Sequence, residues 1–138
     1  VLAYPMNLDE FAAGAFADAL GRLGLGRLIP LLDTSGRWER DLSEDEQQAL
    51  SFARTVLHAP PWIIIDEVLE SLEEDTLMQV IEVLGKDLAR SGIIHIGRVG
   101  AYDHLFTRVL HLIKDPSARR LIRPAAAEAA AEPAALGV

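Results

Sequence analysis

PPWIIIDEVLESL, residues 60–72, decides the fold. Three isoleucines in a row after two prolines predict a short strand, Trp62 to Asp66, buried on both faces. The strand ends on two adjacent carboxylates, Asp66 and Glu67. Acids at the tip of a buried strand are costly unless something there favours negative charge. A cation with a preference for oxygen ligands would do so.

Upstream, LSEDE has the form of a capping box, with Ser43 as N-cap and Glu46 at the third helical position. The helix it opens runs to about His58, with Ala49, Leu50, Phe52, Ala53, Val56 and Leu57 as its apolar side. Pro60 and Pro61 end it. Further upstream, Asn7 and Glu10 form a second box, predicting a helix that carries Phe11, Ala12, Ala15, Phe16, Ala19, Leu20 and Leu23 and stops at Gly24 and Gly26. Residues 28–40 read as irregular around Pro30 and Gly36.

Downstream, a helix begins near Glu73, with Leu77, Val80, Ile81, Leu84 and Leu88 on one stripe and acids at its positive end. A strand follows at Ile93 to Gly97, then a short helix at Ala101 to Phe106 and a third strand at Arg108 to Ile113. ARRLIR, residues 118–123, reads as an edge strand, and the Ala/Glu/Pro-rich remainder as a tail. Strands joined by helices indicate an α/β fold with a parallel sheet covered by helices. The division expected is 1–58 helical, 59–115 α/β, and 116–138 edge strand and tail. Ligands in such sheets sit beyond the carboxyl ends of the strands, where Asp66 and Glu67 lie.

The chain has 138 residues, half of them apolar, and a net charge of −8. That balance argues against nucleic acid as a partner, because phosphate contacts need basic residues. No apolar run approaches the roughly 18 residues needed to span a bilayer. The absence of cysteine excludes disulfides and thiolate metal sites and fits a reducing compartment. His58, His104 and His111 have no metal-like spacing, and His95 reads as a core or sheet-face histidine.

Four hydrophobic residues followed by Asp-Glu form a Walker B pattern. LSEDEQQALSFARTVLHAPPWIIIDE places a capped helix about 20 residues before the acids, with Ala53, Arg54 and Pro60 in between. Together these resemble the ATP-binding domain of ABC transporters, from about Val1 to Ile113. Trp38 resembles the subgroup of bacterial peptide or vitamin transporters and peroxisomal fatty-acyl transporters. The resemblance implies a partial P-loop NTPase (RecA-like) core preceded by a helical signature subdomain. It also implies ATP and Mg²⁺ as cofactors of a longer protein, with Asp66 on the Mg²⁺ through water and Glu67 as the catalytic carboxylate. Ser43, Asp45, Glu46 and Gln47 then align with a signature motif that faces a nucleotide on the opposite subunit. Ser71, Leu72 and Glu73 align with the turn after Walker B, and Arg98 with the switch position. The implied partners are a transmembrane domain and a second ATP-binding domain in a head-to-tail dimer. The implied location is the cytoplasmic face of the bacterial inner membrane.

The departures from the pattern cluster at the site. Glu44 and Asp45 stand where the signature has glycines, and a carboxylate about 5 Å from a phosphate costs about 3 kcal/mol at an effective dielectric near 20. Glu70-Ser71-Leu72-Glu73 replaces Ser-Ala-Leu-Asp. Arg98 replaces the switch histidine and lacks its neutral acceptor nitrogen. No G-x-x-x-x-G-K-[ST] occurs in the sequence. The expectation is a C-terminal part of a longer transporter, soluble and self-associating when alone, with no ATP tightly bound and no hydrolysis by this chain. The alternatives are a degenerate nucleotide-binding domain that serves as a dimerisation or regulatory module, and an unrelated α/β domain.

Overall fold

Helix formation is governed locally by caps. In the computed structural model, which describes residues 2–112 and 121–122, Ser43 N-caps a helix at Glu44–His58. Its Oγ accepts from Glu46 N–H at 3.2 Å, and Glu46 Oε2 accepts from Ser43 N–H at 3.0 Å. The box at Asn7 forms as well, with Glu10 Oε1 accepting from Asn7 N–H at 2.9 Å. It opens only a 3₁₀ turn, Leu8–Glu10, rather than the expected long helix. Gly14, in left-handed backbone at φ 85°, separates that turn from the helix proper.

In chain order, the helices are α1 (Ala15–Arg22), α2 (Trp38–Asp41), α3 (Glu44–His58) and α4 (Glu74–Lys86). The strands are β1 (Trp62–Asp66), β2 (Gly92–Ile96), β3 (His111–Leu112) and β4 (Leu121–Ile122). The chain divides into two units, Val1–Gly97 and Arg98–Val138.

In the first unit α1 packs on α3, and α3 touches α4. Ala19, Leu20 and Leu23 meet a core that includes Ala49, Phe52 and Ala53 of α3 and Val80, Val83 and Leu84 of α4. Each fully buried aliphatic side chain contributes roughly 2 kcal/mol of gross transfer free energy, which is why the 3.6-residue stripes specify these helices. The segment before α1 is tied to the end of α3: His58 Nε2 donates to Leu2 carbonyl at 3.0 Å, and the Arg54 guanidinium lies 5.5 Å from the Tyr4 ring centre.

β1 and β2 pair in parallel, Trp62 opposite Gly92 through Asp66 opposite Ile96. The Trp62 ring lies directly over Gly92, where any Cβ would collide with it. Ser91 Oγ donates to Pro60 carbonyl at 2.6 Å and Gly92 N–H to Pro61 carbonyl at 2.8 Å, fixing the register at its start. Burial on both faces, expected from the isoleucine run, is not observed. Ile63 and Ile65 are buried, whereas Trp62 and Ile64 are each 68% exposed. On β2, Ile94 and Ile96 are exposed too. The strand alternates because only one side of the pair is covered among the described residues.

The second unit also departs from expectation. The short helix expected at 101–106 is reduced to one 3₁₀ turn, Asp103–Leu105. The third strand is reduced to β3, which pairs antiparallel with β4 in a separate two-stranded sheet instead of extending the parallel one. β4 falls inside the expected ARRLIR edge strand. Ile113 and the tail lie outside the described residues. Among the described residues no helix is long and apolar enough to cross a membrane.

Candidate functional site

Asp66 closes β1 and Glu67 follows it, both exposed at the carboxyl end of the strand. Glu67 has φ 56°, in the left-handed region that non-glycine residues seldom adopt. The conformation costs about 1–2 kcal/mol and persists only where its surroundings hold it. What holds it is β2: Glu67 N–H donates to Ile96 carbonyl at 2.8 Å. The chain therefore leaves the strand sharply at the residue whose carboxylate the sequence singles out.

The turn beyond is compact. Leu69 is fully buried, and Ser71 Oγ donates to Val68 carbonyl at 2.8 Å. Leu72 is half-buried and Glu73 is the N-cap of α4. Glu73 supplies no side-chain cap of its own. The cap comes from Asp45, whose Oδ1 accepts from Glu73 N–H at 2.9 Å and whose Oδ2 accepts from the Thr76 hydroxyl. The structure thus joins the first turn of α3 to the start of α4 through Asp45, a signature-motif position whose carboxylate replaces a glycine.

Ser43 is exposed and spends its Oγ on Glu46 N–H. Glu46 also accepts from Arg27 Nε at 2.7 Å. The Arg27 guanidinium, helped by Ser43 N–H, holds the Glu46 carboxyl below its ordinary range. Gln47 Nε2 donates to Leu42 carbonyl at 3.1 Å. A cavity of about 190 Å³ opens beside Asp45 and Glu46, bounded also by Leu23, Gly24, Thr76 and Gln79. Its acidic edge provides no positive charge for a phosphate.

Arg98 is exposed at the start of the second unit. In that unit His111 Nε2 lies 3.7 Å from Asp103 Oδ2. A pair that the sequence did not bring together lies behind the Asp66–Glu67 turn: His95 Nε2 is 3.7 Å from Glu70 Oε2, with both side chains nearly buried. A histidine two residues from the end of a strand and an acid just past the neighbouring strand were the only signal. Among the described residues no group of three or more histidine and acidic side chains is placed to hold a metal ion. Two exposed carboxylates fit a Mg²⁺ that takes its remaining ligands from water and nucleotide phosphates.

A parallel α/β unit with paired carboxylates at a strand's carboxyl end, preceded by a capped helix, is consistent with part of an NTPase-type α/β domain. Over 96 residues the chain is 35% identical to an uncharacterized ABC transporter ATP-binding protein of Haemophilus influenzae, a match covering 70% of this chain and 16% of that protein. It is 31% identical over 94 residues to the inner membrane ABC transporter ATP-binding protein YddA of Escherichia coli, covering 68% of this chain and 16% of the relative. It is also 31% identical to the glutathione/L-cysteine transport system ATP-binding/permease protein CydC of the same organism, covering 70% and 17%. No protein-family model matches. The chain belongs with the ABC transporter ATP-binding proteins and carries part of their ATP-binding domain. It spans about a sixth of the length of the relatives it matches.

Proposed function

We propose that this chain supplies the signature-to-switch portion of a RecA-like ATP-binding domain in a membrane transporter that couples ATP hydrolysis to transport. Residues 1–58 act as its helical signature subdomain and 59–115 as part of its α/β core. Asp66 orients Mg²⁺ through water and Glu67 polarises the attacking water. The observation that carries this reading is the strained, strand-end placement of Glu67, held by Ile96 carbonyl. Strain kept at a charged, exposed residue is better accounted for by a role than by stability.

The open face of Trp62, Ile64, Ile94 and Ile96 supports a larger α/β core in the working protein, since apolar sheet faces of this kind are normally covered. The partners proposed are a transmembrane domain and a second ATP-binding domain, at the cytoplasmic face of an inner membrane. Ser43, Asp45, Glu46 and Gln47 face the opposite subunit's nucleotide, Ser71, Leu72 and Glu73 lie between the two sites, and Arg98 occupies the switch position.

A second reading, a degenerate domain that dimerises without hydrolysing at this half-site, is favoured by one observation. Asp45 is already engaged by Glu73 N–H and Thr76, and Glu46 by Arg27. ATP turnover by a longer protein that carries this chain together with a phosphate loop decides between them. The first reading requires turnover that Glu67→Gln lowers at least about 100-fold. Absent or unaffected turnover leaves the second.

A further inference from the structure

Glu70 and His95 are ionisable, nearly buried, and used by neither reading above. Their side chains are 12% and 9% exposed, and Glu70 Oε2 lies 3.7 Å from His95 Nε2. That is contact distance, longer than a hydrogen bond. A carboxylate this poorly solvated is expensive unless a partner compensates it. The room for the pair is made by Gly97: a Cβ there would collide with Glu70 Oε1 and lie 2.5 Å from His95 Cε1.

The position of the pair matters more than its chemistry alone. Two consecutive residues of β2 reach across to the turn that follows β1. Ile96 carbonyl takes Glu67 N–H at 2.8 Å, and the His95 ring meets Glu70 three residues later. Between them Leu69 is fully buried. The turn is thus pinned at both ends to the same short piece of strand.

We propose that Glu70 and His95 are a positioning pair: they staple the turn after β1 to β2 and so fix where the Glu67 carboxylate points. The pair contacts no reacting atom itself. Its importance for catalysis rests on the reading of Glu67 above, but the staple can be measured without ATP.

The test is amide hydrogen exchange by NMR on this 138-residue chain. The amides of buried Val80 and Val83 in α4 serve as reporters of global unfolding. In Glu70→Ala and, independently, in Gly97→Ala, Glu67 exchange rises about tenfold or more relative to those reporters. If Glu70→Ala does not fold, Glu70→Gln is read by the same ratio. A spectroscopic signature separates the pair from mere packing. In Glu70→Gln, which keeps the shape, the ring-nitrogen resonances of His95 move while those of His58 hold still, because the group facing His95 Nε2 has changed. Glu67 exchange that moves only in step with Val80 and Val83, or His95 ring resonances indifferent to Glu70→Gln, overturns the proposal. Loss of the Glu67 role in the turnover assay would sink the proposed function and leave the staple standing.

Discussion

Asp45 and Glu73 are 28 residues apart and are joined by one hydrogen bond, Glu73 N–H to Asp45 Oδ1 at 2.9 Å. Because Thr76 donates to the other oxygen, a single carboxylate on the first turn of α3 completes the N-terminus of α4. It does so where the helix dipole also favours negative charge. Asp45→Ala is therefore expected to destabilise the chain by about 1 kcal/mol, the usual cost of losing an N-cap. In a double-mutant cycle with Thr76→Val, measured by urea unfolding, the two losses fall short of additive, because both variants break the same contact. Full additivity would show that the contact contributes nothing.

Glu67 gives a trade between stability and role. Glycine adopts φ 56° freely, so Glu67→Gly relieves backbone strain of about 1–2 kcal/mol, offset by about 0.5–1 kcal/mol of unfolded-state entropy. The expected result is a chain as stable as the parent or up to about 1.5 kcal/mol more stable, with no carboxylate at this position. Glu67→Ala, still strained, shows no such gain. Chemical denaturation of the three proteins checks the order.

Arg27 and Glu46 set a pH dependence whose sign is fixed. The Arg27 guanidinium lowers the folded-state pKa of Glu46 below its ordinary 4.5. A depressed carboxyl contributes stability above about 4.5 and loses it as pH falls through the folded value. Unfolding free energies of the parent and Arg27→Ala are expected to differ near neutrality and to converge in acid. A difference that persists below the Glu46 transition would assign the effect to packing of the arginine stem instead.

The outward face of the β1–β2 pair should make the isolated chain associate with itself. Trp62 and Ile64 are exposed there beside Ile94 and Ile96. Ile64→Lys with Ile94→Lys is expected to abolish association in sedimentation velocity, at a stability cost below about 1 kcal/mol because neither side chain is buried. A parent chain that stays monomeric at high concentration contradicts this.

The sequence made α3, β1 and α4 legible because their signals are local. Ser43 and Glu46 three apart, Pro60 and Pro61, and the stripe through Val80 and Leu84 each act within a few residues. The Asp66–Glu67 tip followed from the strand's end. What escaped is set by distance along the chain. Whether Ile64 is covered depends on what lies against the sheet, and an isoleucine run reads the same with one face buried or two. Asp45 looked like an acid set against phosphate because its partners are 28 and 31 residues away. His95 looked like an ordinary sheet residue because Glu70 reaches it from the adjoining strand's turn. The third strand's pairing escaped for a different reason: apolar content marked residues 108–113, which contain β3, but apolar content does not choose a pairing partner.

Trp62, whose ring spans the pair to lie over Gly92, is one of only two tryptophans in the chain. With Trp38 replaced by phenylalanine, its emission becomes an optical gauge of this sheet. The colour reports whether β2 is in register beside β1. Accessibility of the ring to a dissolved quencher reports whether anything has settled on the side that the described residues leave bare.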